Sequence, residues 1–323
     1  MYTRIVTHND LDGMFSAALC AAVHGIEHIV FAGPNQISRT GFSVTAEDIV
    51  CDLPYPGECG LWFDHHEGNM EELKRQGKEV SNLPGAFAPE KSCARVIYNF
   101  YNADYAFPDF YEASVLEVDK IDSFDYKSVE EWRQETPARI INDSLKCRFK
   151  EDNEEEEYLQ SLIPRFAEKT FAEIASDEDV LHYYHEYLKE EEKMLDIIRK
   201  TTRFHPADTT HEFVFIDITS FNKRISVVRN LAQIIHPEIK AVFLIQNLFD
   251  RGVKTTNFSI SGSLTLKLNG KPKNIGEIMR RLNIGDGHAG AGSGQIFCGN
   301  KMEMEKKKTE VENSIYKLCM EQG

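Results

Sequence analysis

His8-Asn9-Asp10-Leu11-Asp12-Gly13 places an imidazole and two carboxylates at alternate positions, just after the apolar pair Ile5-Val6 and before a small-residue segment, 14–22. The order reads as strand, sharp turn, helix. At the end of an extended strand alternate side chains share one side, so His8, Asp10 and Asp12 are expected to converge on one point. Three ligand-type groups with few cations nearby invite a divalent metal. Taken alone, the motif fits a solvated acidic turn equally well. Two more stretches repeat the theme: Asp52-Leu53-Pro54 follows Ile49-Val50-Cys51, and Asp64-His65-His66 follows Leu61-Trp62-Phe63. A further acidic cluster holds Asp119, Asp122 and Asp125.

The elements that must position these groups alternate in type. Strands are expected at 2–7, 27–32, 46–53 and 60–64, with a helix at 13–24. That pattern argues for a parallel sheet, and in such sheets ligands gather outside the carboxyl ends of the strands. Three of the four strands carry Asp or His there. Residues 67–89 are polar and read as a loop over the site. Ser92 is placed to cap a helix running to Tyr101, with Ala94, Val96, Ile97 and Phe100 inside. Helices are expected at 110–118 and 128–145, and the acidic block 154–157 reads as a solvated helix start. Residues 180–199 show helical spacing, with Leu181, Tyr184, Leu188, Leu195 and Ile198 on one face. A linker containing Pro206 follows at 201–210.

Beyond it, strands are expected at 212–218, 241–245 and 256–261, and helices at 225–235, 275–282 and 301–318, the last exposed. Between the last two lies Gly285-Asp286-Gly287-His288-Ala289-Gly290-Ala291-Gly292-Ser293-Gly294. Such a run lets backbone N–H groups approach an anion closely. Gly287, His288 and Gly290, with Ser261 of the preceding strand, are the candidate substrate-binding residues; a flexible loop with an incidental His is the plain alternative.

Composition narrows the class. The chain has 323 residues, of which 41% are hydrophobic, enough for two cored domains and too many for disorder. Seven scattered Cys without a Cys-x-x-Cys argue for free thiols in a reducing compartment. No signal pattern and no membrane-length apolar run is legible, so a soluble cytoplasmic protein is expected. From Arg203 onward 17 Lys and Arg face 12 Asp and Glu, net +5, whereas the residues before it carry −20 of the total −15. An acidic first part suits metal binding, and a mildly basic second part suits an anionic ligand. The excess is too small for a long duplex footprint.

His8-Asn9-Asp10-Leu11-Asp12-Gly13, Asp52-Leu53-Pro54, Asp64-His65-His66 and the cluster around Asp122 resemble, in order, the four motifs of the DHH phosphoesterases. Gly285-Asp286-Gly287-His288 resembles the Gly-Gly-Gly-His loop of the associated C-terminal domain. The resemblance implies an α/β parallel-sheet DHH domain with a helical connector over 1–203. A smaller α/β substrate-binding domain would cover 204–323, with the active-site cleft between the two. It implies two manganese ions, with magnesium as a substitute. One would be held by His8, Asp10 and Asp52, the other by Asp12, Asp52, His65 and a fourth-motif Asp, with Asp52 bridging. Asp122 is preferred over Asp119, because Asp-Ser before an aromatic resembles the pattern of relatives. Asp64 and His66 would orient His65 or touch a phosphate oxygen.

Two departures bear on substrate. The strand 258–263 lacks the Arg that many relatives use to grip a terminal phosphate, and Asp286 stands where they have Gly. The implied activity is hydrolysis of short oligonucleotides or linear dinucleotides, and the small phosphorylated substrate is the expected partner. No membrane partner is expected, and a homodimer is allowed. The alternatives are an exopolyphosphatase or phosphoanhydride hydrolase, and a non-catalytic nucleotide-binding module. An oligonucleotide site needs an aromatic near the metals; Tyr55, Trp62 and Phe124 are the candidates.

Overall fold

The structure is a computed structural model that describes residues 1–37, 42–149, 151–266 and 273–322. The chain forms two compact units. The first comprises Met1–Asp125 and Gln134–Lys189, the second Tyr126–Arg133 and Glu190–Gly323. The division falls inside the helix Glu178–Thr201.

In the first unit, β1 (Arg4–Thr7), β2 (Ile29–Phe31), β3 (Asp48–Cys51), β4 (Leu61–Asp64) and β5 (Gly85–Phe87) form a sheet in the order β2-β1-β3-β4-β5. Every pairing in it is parallel. A parallel sheet covered on both faces needs near-continuous apolar strands, and the register shows why. Ile5, Ile49 and Phe63 point into one core with Phe15, Tyr111 and Phe166, while Val6, Val50 and Trp62 point into another with Leu53 and Leu73. The helix Leu11–His24 lies close over β1, and it ends where Gly25 takes φ 66° and donates its N–H to the Ala21 carbonyl.

In the second unit, β6 (Thr202–Phe204), β7 (Phe213–Asp217), β8 (Ala241–Asp250), β9 (Val253–Leu264), β10 (Gly285–Gly287) and β11 (Ala291–Ile296) form a mixed sheet in the order β10-β11-β9-β8-β7-β6. Its β7–β8 pairing is parallel and the others are antiparallel. Phe213, Phe215, Phe243 and Phe258 build its core with the helices Ile275–Arg281 and Lys301–Glu321.

Several expectations are corrected. Residues 67–89 are ordered as the helix Glu67–Arg75, a 3-10 turn Val80–Asn82 and strand β5; their polarity reflects one solvated face, since Leu73 is buried. The span 128–145 is two short helices, Val129–Trp132 and Pro137–Ser144, because Pro137 starts a new helix that Thr136 caps. Residues 201–204 are not linker, since β6 pairs with β7. The helix at 225–235 begins only at Arg229; the β-branched residues at 225, 227 and 228 resist it. Phe100 is 44% exposed rather than core. In Glu178–Thr201, Val180, Tyr187 and Met194 are buried where Leu181 and Leu188 are only half-buried. The C-terminal helix buries Met304, Lys308, Ile315 and Cys319.

The Gly-rich run is a hairpin of β10 and β11 packed on the helix Ile275–Arg281, with Gly276 meeting Gly287. A Cβ on Gly276 would lie 2.1 Å from the Gly287 carbonyl oxygen. Alanine is the better helix former, so propensity alone predicts that Gly276→Ala stabilises. The contact predicts the reverse, a loss of about 2 kcal/mol read as a lower urea midpoint for the second unit. A raised midpoint would contradict this packing.

Candidate metal centre and cationic pocket

The carboxyl ends of β1, β3 and β4 bring His8, Asp10, Asp12, Asp52, Asp64, His65 and His66 together, and the last turn of the helix Phe110–Asp122 adds Asp122. His8, Asp10 and Asp12 do not converge on one point as strand alternation suggested. The strand has ended by then: Asp10 is the N-cap of the helix and accepts the Gly13 N–H at 3.0 Å, and Asp12 is already helical. Gly13 permits that sharp change, since a Cβ there would sit 2.3 Å from the His8 carbonyl oxygen. The groups therefore divide. His8, Asp10 and Asp52 form one cluster, Asp12, His65 and Asp122 another, and Asp52, His65 and His66 a third that links them.

Asp52 belongs to the first and third clusters, and His65 to the second and third. Asp52 is the more buried of the two. It is 3% exposed, takes φ 55°, and its Oδ1 has no hydrogen-bond partner. A non-Gly residue in the left-handed region is sparsely populated and marks a site that the surroundings over-determine. Phe124, just after Asp122, shares that conformation at φ 53°. The second buried orphan is His65 Nε2. It lies 3.4 Å from Asp122 Oδ2, 3.6 Å from Asp12 Oδ2 and 3.7 Å from Asp52 Oδ1, without a hydrogen bond to any of them. Its other nitrogen, Nδ1, is 3.1 Å from the Glu90 carbonyl. Donation there leaves Nε2 as a bare acceptor, the tautomer a metal ligand needs. Two buried orphans facing each other among carboxylates fit a cation between them, and the oxygen and imidazole donors suit manganese, magnesium or zinc.

Supporting contacts hold the donors. The Asp12 carboxylate accepts the Cys93 and Ala94 N–H groups at 2.7 and 2.8 Å, the first amides of the helix Cys93–Tyr101 that Ser92 caps. A negative charge there is favourable. Asp64 Oδ1 accepts His66 Nδ1 at 2.8 Å and the His65 and His66 N–H groups, while Oδ2 accepts the Asn69 side chain at 2.6 Å. Asp64 is thus saturated, and it holds the His66 ring and the backbone of both histidines. Asp119 is committed elsewhere, gripped by Arg95 at 2.9 and 2.6 Å and by Ser92 Oγ at 2.7 Å. Asn69, Arg95 and the Glu90 carbonyl were missed in the sequence; only the Ser92 cap left a readable trace.

The electrostatics arise from crowding. Burial, with the charges of Asp12, Asp10 and Asp122, pushes the Asp52 carboxyl well above its usual range. Burial and Asp12 push Asp122 up to about 8, and burial and Asp10 push Asp12 up to about 6. Burial lowers His66, but the hydrogen bond and charge of Asp64 outweigh it and raise the imidazole to about 9.

In the second unit the Gly-rich hairpin spends most of its donors on itself. Gly287 N–H goes to Asp286 Oδ1, His288 N–H to the Ala291 carbonyl, and Gly290 N–H to His288 Nδ1. What it offers outward is the exposed His288 ring. Asp286 is neutralised by Arg280 at 2.5 Å. Ser261 lines a separate cavity of about 400 Å³ with Lys223, Arg224 and Arg229, and no Asp or Glu is among its lining residues. The Arg229 Nε donates to Ser263 Oγ at 3.0 Å, and the guanidinium has no carboxylate within 4 Å among the described residues. Phe249 lies 5.9 Å under Arg224. This cationic set was missed; its trace was a Lys-Arg pair following a strand end. Of the aromatic candidates, Trp62 is 1% exposed with its indole N–H on the Leu53 carbonyl, so it belongs to the core.

No protein-family model and no curated protein matches the sequence. Among solved structures, a pGpG-specific phosphodiesterase, PggH, from Vibrio cholerae is 22% identical with a TM-score of 0.73, over 98% of this chain and 99% of that one. The two share a fold along their whole length. An exopolyphosphatase-related protein from Bacteroides fragilis is 12% identical over 98% and 93%, with a TM-score of 0.48. RecJ from Thermus thermophilus in complex with Mn2+ is 12% identical over 98% and 52%, with a TM-score of 0.47. The likeness to these two is looser than the likeness to the phosphodiesterase.

With carboxyls raised, the folded metal-free protein holds protons that the unfolded chain releases, so its stability falls as pH rises through the window from about 4 to 8. His66 acts in the same direction, its contribution present below about 6.5 and lost towards 9. We expect the melting temperature in chelator to drop steadily from pH 5 to 8. A rise over that range would mean that the cluster is not crowded in solution.

Proposed function

We propose that the chain is a DHH-type phosphodiesterase that uses two divalent cations, manganese first, to hydrolyse short oligonucleotides or linear dinucleotides, with pGpG the leading candidate. The observation that carries this reading is the buried Asp52 carboxylate shared between two ligand clusters, its Oδ1 and His65 Nε2 both without partners. His8, Asp10 and Asp52 would hold one cation, and Asp12, Asp52, His65 and Asp122 the other. Bound there, paired cations lower the pKa of a water and neutralise charge on a phosphoryl group.

The protein's own groups do the rest. Asp64 fixes His66 through Nδ1, so the ring can donate only through Nε2. The hydrogen bond and charge of Asp64 favour the protonated ring, which is suited to stabilise charge developing on a phosphate oxygen. Asp64 itself does not meet substrate. The 98% overlap of fold with a dinucleotide phosphodiesterase supports the substrate class. So does the cavity of Lys223, Arg224 and Arg229, whose size and charge suit a phosphorylated nucleoside. Among the described residues the cysteines are buried and free, and no helix is long and apolar enough to cross a membrane.

The test is turnover with manganese on pGpG, GpG, a cyclic dinucleotide and short polyphosphate. Asp52→Asn removes the shared charge at almost constant volume, and we expect kcat/KM on pGpG to fall by about a thousand-fold or more. Manganese should raise the melting temperature of the wild type but not of this variant. Near-normal turnover by Asp52→Asn would end the two-metal assignment. Arg229→Ala should raise KM for pGpG by about ten-fold or more, with GpG nearly unaffected, because only pGpG carries the terminal phosphate. An equal effect on both substrates would place Arg229 in folding rather than in phosphate binding.

A further inference from the structure

The second unit holds another cavity, of about 870 Å³, at the carboxyl end of β7. Five cationic side chains line it, Lys200, Arg203, Lys254, Lys301 and Lys308, against two carboxylates, Asp217 and Glu305. Glu312, behind the lining, pairs with Arg203, so five cations face three carboxylates, and in a chain of net charge −15 that local excess of two positive charges is a specific placement.

The cavity is built in two layers. Its floor is a closed network. Lys308 is 6% exposed and its Nζ sits 3.1 Å from Asp217 Oδ2, 2.8 Å from Thr219 Oγ1 and 2.9 Å from Glu305 Oε2. Arg203 also reaches Asp217, at 3.1 Å. Arg203 pairs with Glu312 as well, so each carboxylate of the floor has a cationic partner and the two cations are fully engaged. The rim is different. Lys200, Lys254 and Lys301 have no carboxylate within 4 Å among the described residues, although acids are the commoner charge in this chain. Lys254 is held over the cavity by the Thr219 carbonyl at 2.6 Å. Ser220 and Asn222 supply a hydroxyl and an amide to the lining, whereas Thr255 and Thr256 donate their hydroxyls to the Leu248 and Cys298 carbonyls at 2.7 and 2.9 Å, and no aromatic ring is among the lining residues. Ammonium groups without a carboxylate partner bind phosphate oxygens as point charges. Without a ring to stack on, recognition falls on the charged group rather than on a base. In sheets with parallel pairs, the crevice outside the carboxyl ends is where ligands bind, and β7–β8 is such a pair.

We infer that this cavity, which adjoins the Arg229 pocket at Asn247 and shares no residue with the metal centre, is a second anion site that takes a linear di- or triphosphate group. That chemistry could arrive as inorganic polyphosphate or as the phosphate tail of a nucleotide. The ligand is an effector or a stabilising anion, since the residues that line the cavity contribute nothing to the metal clusters.

The test is calorimetric titration of the full chain in EDTA, so that hydrolysis and the metal centre are silent. The probes are sodium tripolyphosphate and, separately, guanosine triphosphate. We expect binding to the wild type that Lys254→Gln/Lys301→Gln weakens by about ten-fold or more, as loss of two charge contacts should. Asp52→Asn and Arg229→Ala should retain it. Equal affinity for both probes identifies the phosphate chain as the recognised group, and tighter binding of the nucleotide adds its nucleoside. Lys301→Glu, at an exposed side chain, repeats the test should the double variant fail to fold, and manganese-dependent turnover of dinucleotides by the double variant should match the wild type. No binding to the wild type, unchanged binding in both lysine variants, or loss of binding in Arg229→Ala would each overturn the assignment. Because the readout is metal-free binding, its failure leaves the hydrolytic reading to be judged on turnover alone.

Discussion

Uncompensated negative charge is the constraint around which the first unit is arranged. Asp10, Asp12, Asp52, Asp64 and Asp122 share one end of a parallel sheet, and no Lys or Arg forms an ion pair with any of them among the described residues. Ionised carboxylates so placed repel one another, and burying one is expensive. The protein meets part of this cost with imidazoles and with the amides of a helix N-terminus. It leaves the rest open at Asp52 Oδ1 and His65 Nε2. A fold that keeps such a cluster intact is specifying a place for positive charge that the chain itself does not supply.

The scaffold explains why the charge can be held at all. β1, β3 and β4 are locked in register from both faces, with Ile5, Ile49 and Phe63 on one side and Val6, Val50 and Trp62 on the other. The strand ends are therefore fixed, and so are the residues that come after them. Asp52 and Phe124 adopt left-handed backbone conformations beside the cluster, a local strain of about 1–3 kcal/mol each that only a well-packed surround sustains. The second unit handles charge the opposite way, with cations left unpaired around two cavities.

The alternation of strand and helix and the acidic strand ends were legible because both are local: periodicity and position along one segment. So was the Ser92 cap. What was hidden depended on distant partners. The preference for Asp122 over Asp119 rests on a resemblance alone; the physical difference between them, the grip of Arg95 and Ser92 on Asp119, comes from partners more than twenty positions away. The expected convergence of His8, Asp10 and Asp12 failed because the strand ends at Thr7 and Asp10 turns to cap a helix. The Gly-rich run looked like an anion cradle, yet its glycines serve close packing against Gly276, and three of its amides are spent within the hairpin. The cationic cavity lined by Arg229 and Ser261 joins segments some thirty positions apart, a relation that no spacing rule reports.

Asp12 carries two duties at once. Its carboxylate clamps the opening amides of the helix Cys93–Tyr101 and also stands among the proposed cation ligands. In evolutionary terms this narrows the routes by which a descendant could lose chemistry and survive as a folded binding protein. A lineage that drifts at His8 or Asp122 gives up a ligand alone. One that drifts at Asp12 gives up the anchor of a core helix in the same step, so decay of the site should spare this residue longest.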